Sequence, residues 1–289
     1  MLKSKDQFIS DYKTKIKSTT TESLFSFFYQ IYLNIFEYIA LRINRIKFSH
    51  YKNIQNPLVT VITPTFNRAD ILLERAVKTC KEQTYQNIEH IIIGDGCTDD
   101  TEKKIKDLNY VNIKFYKIEK KISYKKKIEN VWFSGPVRAL NFGLKKSKGI
   151  WIARLDDDDI WEKDHIEKSL KFCQKNNKEF LTSGSISFSN GVKKDVKPYL
   201  INNMICGASN TFFFISYLKF FKFNINCWMK KKHRVNDVDL FDRMSKVGVR
   251  TDYRSEVSLK IYPRPGETTT GLTQVLLEKE TYEKKYFSN

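Results

Sequence analysis

Cysteine is scarce in this chain. There are five, Cys80, Cys97, Cys173, Cys206 and Cys227, an odd number with no CxxC pair. That pattern argues against a disulfide framework or a thiolate zinc site and for free thiols in a reducing compartment. Acidic residues are also in short supply, 33 against 51 Lys and Arg, for a formal net charge of +18. Such a surplus attracts polyanions but does not choose among nucleic acid, anionic lipid and phosphorylated substrates. The opening "MLKSKDQFISDYKTKIKS" is too charged to supply the apolar run of a secretory signal. Zinc-finger and RNP-type signatures are missing, as is a basic stripe interleaved with stacking aromatics, so nothing favours nucleic acid as a partner. What remains, 289 residues with 41% apolar and 14% aromatic side chains, is ample for a folded core.

After a polar, lysine-rich stretch over residues 1–20, read as loosely ordered, residues 24–48 read "LFSFFYQIYLNIFEYIALRINRIKF". Ser26, Gln30, Asn34 and Glu37 recur every three or four residues, which makes one narrow polar stripe on an otherwise apolar helix. Gln30, Asn34 and Glu37 break the uninterrupted run that a transmembrane span needs. With Arg42, Arg45, Lys47 and Lys52 on its flank, the helix suits either a membrane interface or packing on its own domain or a second subunit. The chain divides into a basic tail with this helix, residues 1–56, and a larger domain, residues 57–289.

From residue 58 the pattern alternates. "LVTVIT" reads as a strand buried on both faces, followed by the turn "PTFNRAD" and a helix with Leu72, Ala76, Val77 and Cys80 at helical spacing. "IEHIIIGDG" is a second buried strand, and "TDDTEKKIKDL" a helix with Thr98 or Asp99 as N-cap. "NIKFYKI" is a third strand, "GPVRALNFGLKKSKG" a helix closed by Gly149, and "IWIARLD" a fourth strand. Strands alternating with helices predict an α/β domain with a mostly parallel sheet, which binds its ligand at the carboxyl ends of the strands. Thr65 to Arg68, Asp95 and Asp156 to Asp159 fall at those ends.

The fourth strand delivers "DDDD". Asp156 and Asp158 are two apart and point the same way in an extended segment, where their oxygens suit Mg²⁺ or Mn²⁺ carrying a diphosphate. Asp159, just before "IWEKDHIEKSL", reads as a helix starter. The competing account of the run is an acidic turn or cap.

Two segments, "VTVITPTFNRADILLERAVKTCKEQTYQNIEHIIIGDGCTDDT" and "GPVRALNFGLKKSKGIWIARLDDDDIW", together resemble glycosyltransferase family 2. The likeness is strong over residues 57–165 and weaker to about 270. It implies a GT-A fold, a Rossmann-like nucleotide half joined to an acceptor half. It also implies metal-dependent, inverting transfer of a hexose from a nucleotide-sugar. By position, Pro64, Thr65 and Phe66 would line the base pocket, with Asn67 and Arg68 in the same nucleotide-sugar site. Asp95 would bond the base, commonly uracil, and Arg138 would lie near the diphosphate. Asp156 and Asp158 would be the metal pair within Asp156–Asp158, Asp158 the more direct ligand. The family often has Asp-Asp-Gly where this chain has Gly94-Asp95-Gly96, which costs one carboxylate.

Direct displacement with inversion needs a base for the acceptor hydroxyl. The family's base is the Asp of a Glu-Asp pair before a helix patterned Asp-x-x-x-Arg. "RVNDVDLFDRMSKVG" matches, with Asn236 at the Glu position, Asp237 as base and Asp239 the alternative; both aspartates also suit helix capping or pairing with Arg234 or Arg243. "CGASNTFFF" offers Ser209 and Asn210 to sugar hydroxyls or is an ordinary turn, and "YPRPGETTTG" offers Arg264 to the diphosphate or is a polar loop. His165 reads as a helix-surface residue, and His233 as part of a solvated basic run. The runs "MKKKHR" and "KIEKKISYKKK" would help the helix dock on anionic lipid.

The resulting expectation is a bacterial polysaccharide-synthesising transferase, using a UDP-sugar, Mn²⁺ or Mg²⁺ and a glycan or lipid-linked glycan acceptor. Its expected place is the cytoplasm, peripheral at the inner face of the plasma membrane. A nucleotidyltransferase is disfavoured because the Gly-rich, basic loop after the first strand is missing. A catalytically inactive module binding nucleotide, membrane or nucleic acid stays open because of Asn236 and Gly94.

Overall fold

A computed structural model describes residues 20–119, 128–230 and 235–287. The basic segments 120–127 and 231–234, with His233 and Arg234, and the tail 1–19 lie outside the described residues. The strands are β1 (Val59–Thr65), β2 (Ile88–Asp95), β3 (Ile113–Ile118), β4 (Trp151–Arg154), β5 (Asp159–Trp161) and β6 (Phe180–Ser189). Then follow β7 (Val192–Asp195), β8 (Tyr199–Ile201), β9 (Met204–Cys206), β10 (Phe213–Ile215) and β11 (Thr251–Ile261). The principal sheet runs β3-β2-β1-β4-β10-β6-β11-β5, with β7 paired to β6; β8 and β9 form a separate hairpin.

β3, β2, β1 and β4 are mutually parallel. The reason is in the sequence: β1 is buried at every position and β2 at all but its last, as strands covered on both faces must be. Beyond β4 the pairing is mixed. β10 is antiparallel to β4 and β6, β11 is parallel to β6, and β5 antiparallel to β11. Covering the parallel half are a helix in three segments, Ala69–Ile71, Leu72–Val77 and Lys78–Lys81, the short α2 (Thr101–Asp107), and α4 (Val137–Lys146), which follows α3 (Ile128–Ser134). The predicted inward residues Leu72, Ala76, Val77 and Cys80 are all buried. α5 (His165–Lys175), α6 (Asn236–Lys246), α7 (Gly271–Leu277) and α8 (Lys279–Phe287) belong to the second half. The five cysteines are free and buried.

Four local expectations need correction. Asp159 starts no helix: it opens β5, is buried, and accepts from the Asn210 amide, while the helix begins six residues later. His165 is not on the surface. It is fully buried, stacks on Trp161 with ring centroids 4.3 Å apart, and its Nδ1 lies 2.9 Å from Ser258 Oγ. Gly149 does not close α4, which ends at Lys146 with Ser147 after it. Gly149 is glycine because a Cβ there would sit 2.5 Å from the Thr60 nitrogen. Asp99 holds the start of α2 by its Oδ1, 2.6 Å from Thr101 Oγ1, rather than from the N-cap position, which Asp100 occupies.

The N-terminal helix, α1 (Thr20–Lys47), packs on the body with its polar stripe inward. Ser26 and Glu37 are buried, as is Leu41. Glu37 pairs with Arg243, both about 1% exposed, and Arg45 grips Glu179 through Nε at 2.7 Å and Nη2 at 2.6 Å.

Candidate active site

Strand ends build the site. β1 runs out at Thr65, whose hydroxyl donates to Asp157 Oδ2 at 2.7 Å, and Arg68 Nη1 donates to Asp157 Oδ1 at 2.9 Å. Asp157 is therefore an internal brace, 2% exposed, that fastens the acid run to the β1 loop. Asn67, at φ 51°, turns that loop; its Oδ1 accepts from the Thr98 amide at 2.8 Å and so ties the β1 and β2 loops together. Left-handed backbone is tolerated best by Asn after Gly, which explains the residue there. Asp95 ends β2 and pairs with Arg138 Nη1 at 3.3 Å.

These elements surround one cavity of about 480 Å³. Of the residues expected from the sequence, Pro64, Thr65, Phe66, Arg68, Asp95, Arg138, Asp156, Asp157, Asp158 and Asp237 line it. Asn67 does not; it acts from behind as the loop tie. Asp239 does not either. It is fully buried, with Oδ1 2.7 Å from Lys230 Nζ and Oδ2 3.0 Å from Arg243 Nε. Two aspartates that look alike in "NDVD" thus have different surroundings: Asp237 faces the cavity, and Asp239 is locked in a buried ion cluster with Arg243 and Glu37. Asn236 lines the cavity and is buried, its Nδ2 donating to the Phe133 carbonyl at 2.8 Å.

The acid run is met by arginines. Asp158 Oδ2 accepts from Arg264 Nε at 2.6 Å and lies 3.7 Å from Arg68. Asp156 pairs with Arg154 at 3.2 Å. Burial pushes the Asp158 carboxyl up, but Arg264 and Arg68 outweigh it and hold the group below the ordinary aspartate value, so it stays ionised. Asp159, deeper and beside three other aspartates, is driven well above that value, first by burial and then by the neighbouring charges of Asp158 and Asp156. One side chain in the run is held charged and another is driven toward its neutral form.

Two arginines of this network escape the sequence reading. Arg154 is the last residue of β4, and its Nη1 is a buried donor without a partner among the described residues. Arg75 donates to the Asp158 and Pro263 carbonyls at 2.7 and 2.9 Å, fastening the 262–271 segment to the acid run. The available signals were an arginine inside the apolar strand "IWIAR" and one within the apolar helical spacing of "ILLERAV". Arg264, Ser209 and Asn210 also line the cavity. Tyr282 of α8 donates to Glu267 at 2.5 Å and accepts from Arg264 at 2.9 Å.

A divalent ion fits the donor chemistry on this wall. Asp156 and Asp158 present hard carboxylate oxygens to the same cavity, the ligand type preferred by Mg²⁺ and Mn²⁺. Among the described residues no three carboxylate, imidazole or thiol groups converge as a complete cage.

The family model described as Glycosyl transferase family 2 matches residues 60–236. An uncharacterized glycosyltransferase of Rickettsia bellii is 38% identical over 124 residues, 43% of this chain and 16% of that protein. A Bacillus subtilis glycosyltransferase assigned by name to teichuronic acid biosynthesis is 34% identical over 128 residues, 44% of this chain and 46% of that one. The chain thus spans less than half the length of these curated relatives. Among solved structures, Staphylococcus aureus TarS residues 1–349 with UDP-GlcNAc has a TM-score of 0.56 at 18% identity, covering 73% of this chain and 60% of that one. The Pyrobaculum calidifontis mannosyltransferase with GDP-Man and Mn²⁺ has a TM-score of 0.52 at 15% identity, covering 81% and 67%. These neighbours share the GT-A fold, an α/β architecture with a curled central sheet. With the family model covering more than half of its length, the chain belongs to glycosyltransferase family 2 and is a glycosyltransferase.

Proposed function

We propose that residues 57–289 transfer a sugar from a nucleoside diphosphate donor, a UDP-sugar, to a hydroxyl of a growing surface glycan, by direct displacement with inversion. The observation that carries this reading is the single cavity that holds Asp95 and Arg138, the acid run with its arginines, and Asp237. Asp95 at the end of β2 reads the base, with Pro64 to Phe66 as its wall. Arg68 and Arg264, which now neutralise Asp158, carry the positive charge that a diphosphate leaving group requires. Asp156 and Asp158 would hold Mn²⁺ or Mg²⁺, which when bound neutralises negative charge on the diphosphate as the bond to the sugar breaks. Asp237 takes the proton of the attacking hydroxyl. Asp239 is unsuited to that task because both its oxygens are already spoken for by cations.

The donor class is supported by neighbours whose structures contain UDP-GlcNAc and GDP-Man. A lipid-linked acceptor at the cytoplasmic face of the plasma membrane is supported by the net charge of +18 and by the relative named for teichuronic acid biosynthesis. Calorimetric titration with UDP, GDP and dTDP, with Mn²⁺ and with EDTA, tests the reading. One nucleotide should bind only with metal, and Asp158→Ala should weaken it by about a hundredfold or more, the scale expected when a metal-clamped diphosphate loses a charged ligand. Absence of binding by every nucleotide would sink the proposal.

A further inference from the structure

Surface helices of water-soluble proteins turn their apolar stripe to the core and their polar face to solvent. α1 does the reverse. At 3.6 residues per turn, Ser26, Gln30, Asn34, Glu37, Asn44 and Arg45 fall on one side, and that side faces the body: Ser26 and Glu37 are buried and the other four are partly covered. The opposite side is apolar along nearly the whole helix. Phe28, Tyr32, Ile35, Ile39 and Ile46 stand along it and are 66%, 63%, 59%, 52% and 80% exposed. Among the described residues nothing covers this face. It is a contiguous apolar patch of the kind that marks an interaction surface.

The helix is long and apolar enough to cross a bilayer by length and composition, but its contacts oppose that role. Glu37 and Arg243 are a buried pair, Leu41 is buried, and Arg45 is fastened to Glu179 and to the Gly248 carbonyl at 2.6 Å. Moving the second half of the helix into hydrocarbon would strand Arg243 and Glu179 as uncompensated charges. The helix must therefore lie along its partner rather than through it. Beside it are three lysines, Lys145, Lys219 and Lys222, of which Lys219 also donates to the Ser147 carbonyl at 3.1 Å. Lys219 sits in the Ser216–Phe220 turn that packs on α1, and Lys222 is near enough to Lys219 and Lys145 to be repelled by both. Lys222 also lines a cavity of about 670 Å³ between α1 and the body, together with Tyr29, Tyr32 and Phe36 of the helix. Arg138 borders both this cavity and the candidate active site.

The geometry points to α1 as an in-plane docking helix for an anionic lipid bilayer: its outward face enters the headgroup boundary and the Lys145–Lys219–Lys222 cluster meets the lipid phosphates. Apolar burial and attraction between basic side chains and anionic headgroups are the two contributions that hold such helices at an interface. A second copy of the chain would match the apolar face but not the three like charges beside it. The docking stands independently of the transfer reading, because it uses no residue of the acid run or Asp237.

Co-sedimentation of the whole chain with vesicles tests it. Vesicles of phosphatidylcholine mixed with phosphatidylglycerol should carry the protein down, and vesicles of phosphatidylcholine alone should do so about tenfold less. The combined substitution Phe28→Glu, Tyr32→Glu, Ile35→Glu should reduce anionic binding by about tenfold or more while leaving the thermal midpoint unchanged, since these side chains are exposed. Lys219→Glu with Lys222→Glu is the second variant; it should weaken binding and lessen its dependence on salt. Failure of the wild-type chain to bind anionic vesicles overturns the proposal, as does binding that both variants leave intact. A dimer in light scattering that the triple substitution converts to monomer, without vesicle binding, would assign the face to a second copy instead.

Discussion

β3, β2, β1 and β4 run parallel, and β2, β1 and β4 end at the cavity, whereas β10, β6, β11 and β5 mix antiparallel and parallel pairs, and that half reaches the cavity through β5 and β11 residues, loops and a helix start. The two halves accordingly carry different parts of the site. In the parallel half the side chains are fixed by strand ends: Thr65 and Arg68 bond Asp157 in the acid run, and Arg138 bonds Asp95. In the mixed half the groups are placed by ion pairs between distant segments. Arg264 is anchored on Asp158, and the start of α6, with Asp237, is anchored by the Lys230–Asp239–Arg243–Glu37 cluster. The parallel half thus places its site groups at strand ends, and the mixed half places them by ion pairs between distant segments. These ion pairs extend to α1, so the docking helix and the helix of the proposed base share one buried cluster.

The sharpest way to break this comparison is to exchange the fates of Asp237 and Asp239. Asp237→Asn should lower kcat by about a thousandfold, the scale of a lost general base, with nucleotide affinity and thermal stability little changed. Asp239→Asn should do the opposite. It leaves the buried Arg243 and Lys230 short of a counter-charge, and losing one partner of such a cluster costs about 3–5 kcal/mol of stability. Denaturant unfolding and steady-state kinetics on both variants check the pair. If Asp239→Asn kept its stability and lost turnover, the assignment of the base would move to Asp239.

A smaller effect tests the parallel half. Gly94 stands where the family often has Asp. A Cβ at Gly94 would lie 2.7 Å from the Phe115 ring and 3.1 Å from Cys97 Sγ. A side chain at this position would therefore crowd Phe115 on the neighbouring strand. Gly94→Asp should destabilise the chain by about 1–3 kcal/mol through overpacking. Adding Phe115→Ala should recover much of the loss on that side, and thermal unfolding of the single and double variants measures it.

How far the site can be read in advance differs between the halves for the same reason. The strands at 58–63, 88–96, 112–118 and 150–156 are apolar, β-branched and separated by helical spacing, so both their type and their common edge follow from local pattern. β5, β7, β8, β9 and β10 are three or four residues long, shorter than the span over which a period of two can be distinguished. Asp159 shows the cost: as part of an acidic run before "IWEKDHIEKSL" it resembles a helix start, and only pairing of β5 with β11 makes it a buried strand residue. His165 shows another. Its burial comes from Trp161 and Ser258, the latter on β11, 93 positions away. α1 was half legible. The polar stripe is visible in the sequence, but its inward direction depends on Arg243 and Glu179, more than 130 residues distant.

The two buried histidines give the smallest effect and ask whether the halves unfold as one. His90 of β2 lies 2.9 Å from Thr63 Oγ1 inside the parallel half, and His165 pins the mixed half. Burial pushes the pKa of each down to about 3 from an ordinary value of 6.5; for His165 the charge of Arg254 adds to it. Between those values the unfolded chain binds a proton that the folded chain refuses, so stability rises with pH across the window and is lost as pH falls from 6.5 toward 3. Each histidine contributes at most about 1.4 kcal/mol per pH unit to that slope. Asp159, whose carboxyl is raised, works against it over the part of the window that it titrates, so the useful quantity is the difference between wild type and variant. His90→Gln and His165→Gln should each flatten the pH dependence of thermal stability by about one proton. If the halves form one cooperative unit, both variants act on a single transition. If scanning calorimetry resolves two transitions, and each histidine governs only one of them, then the pairing of β4 with β10 and the shared core do not hold the halves together, and they are separate folding units.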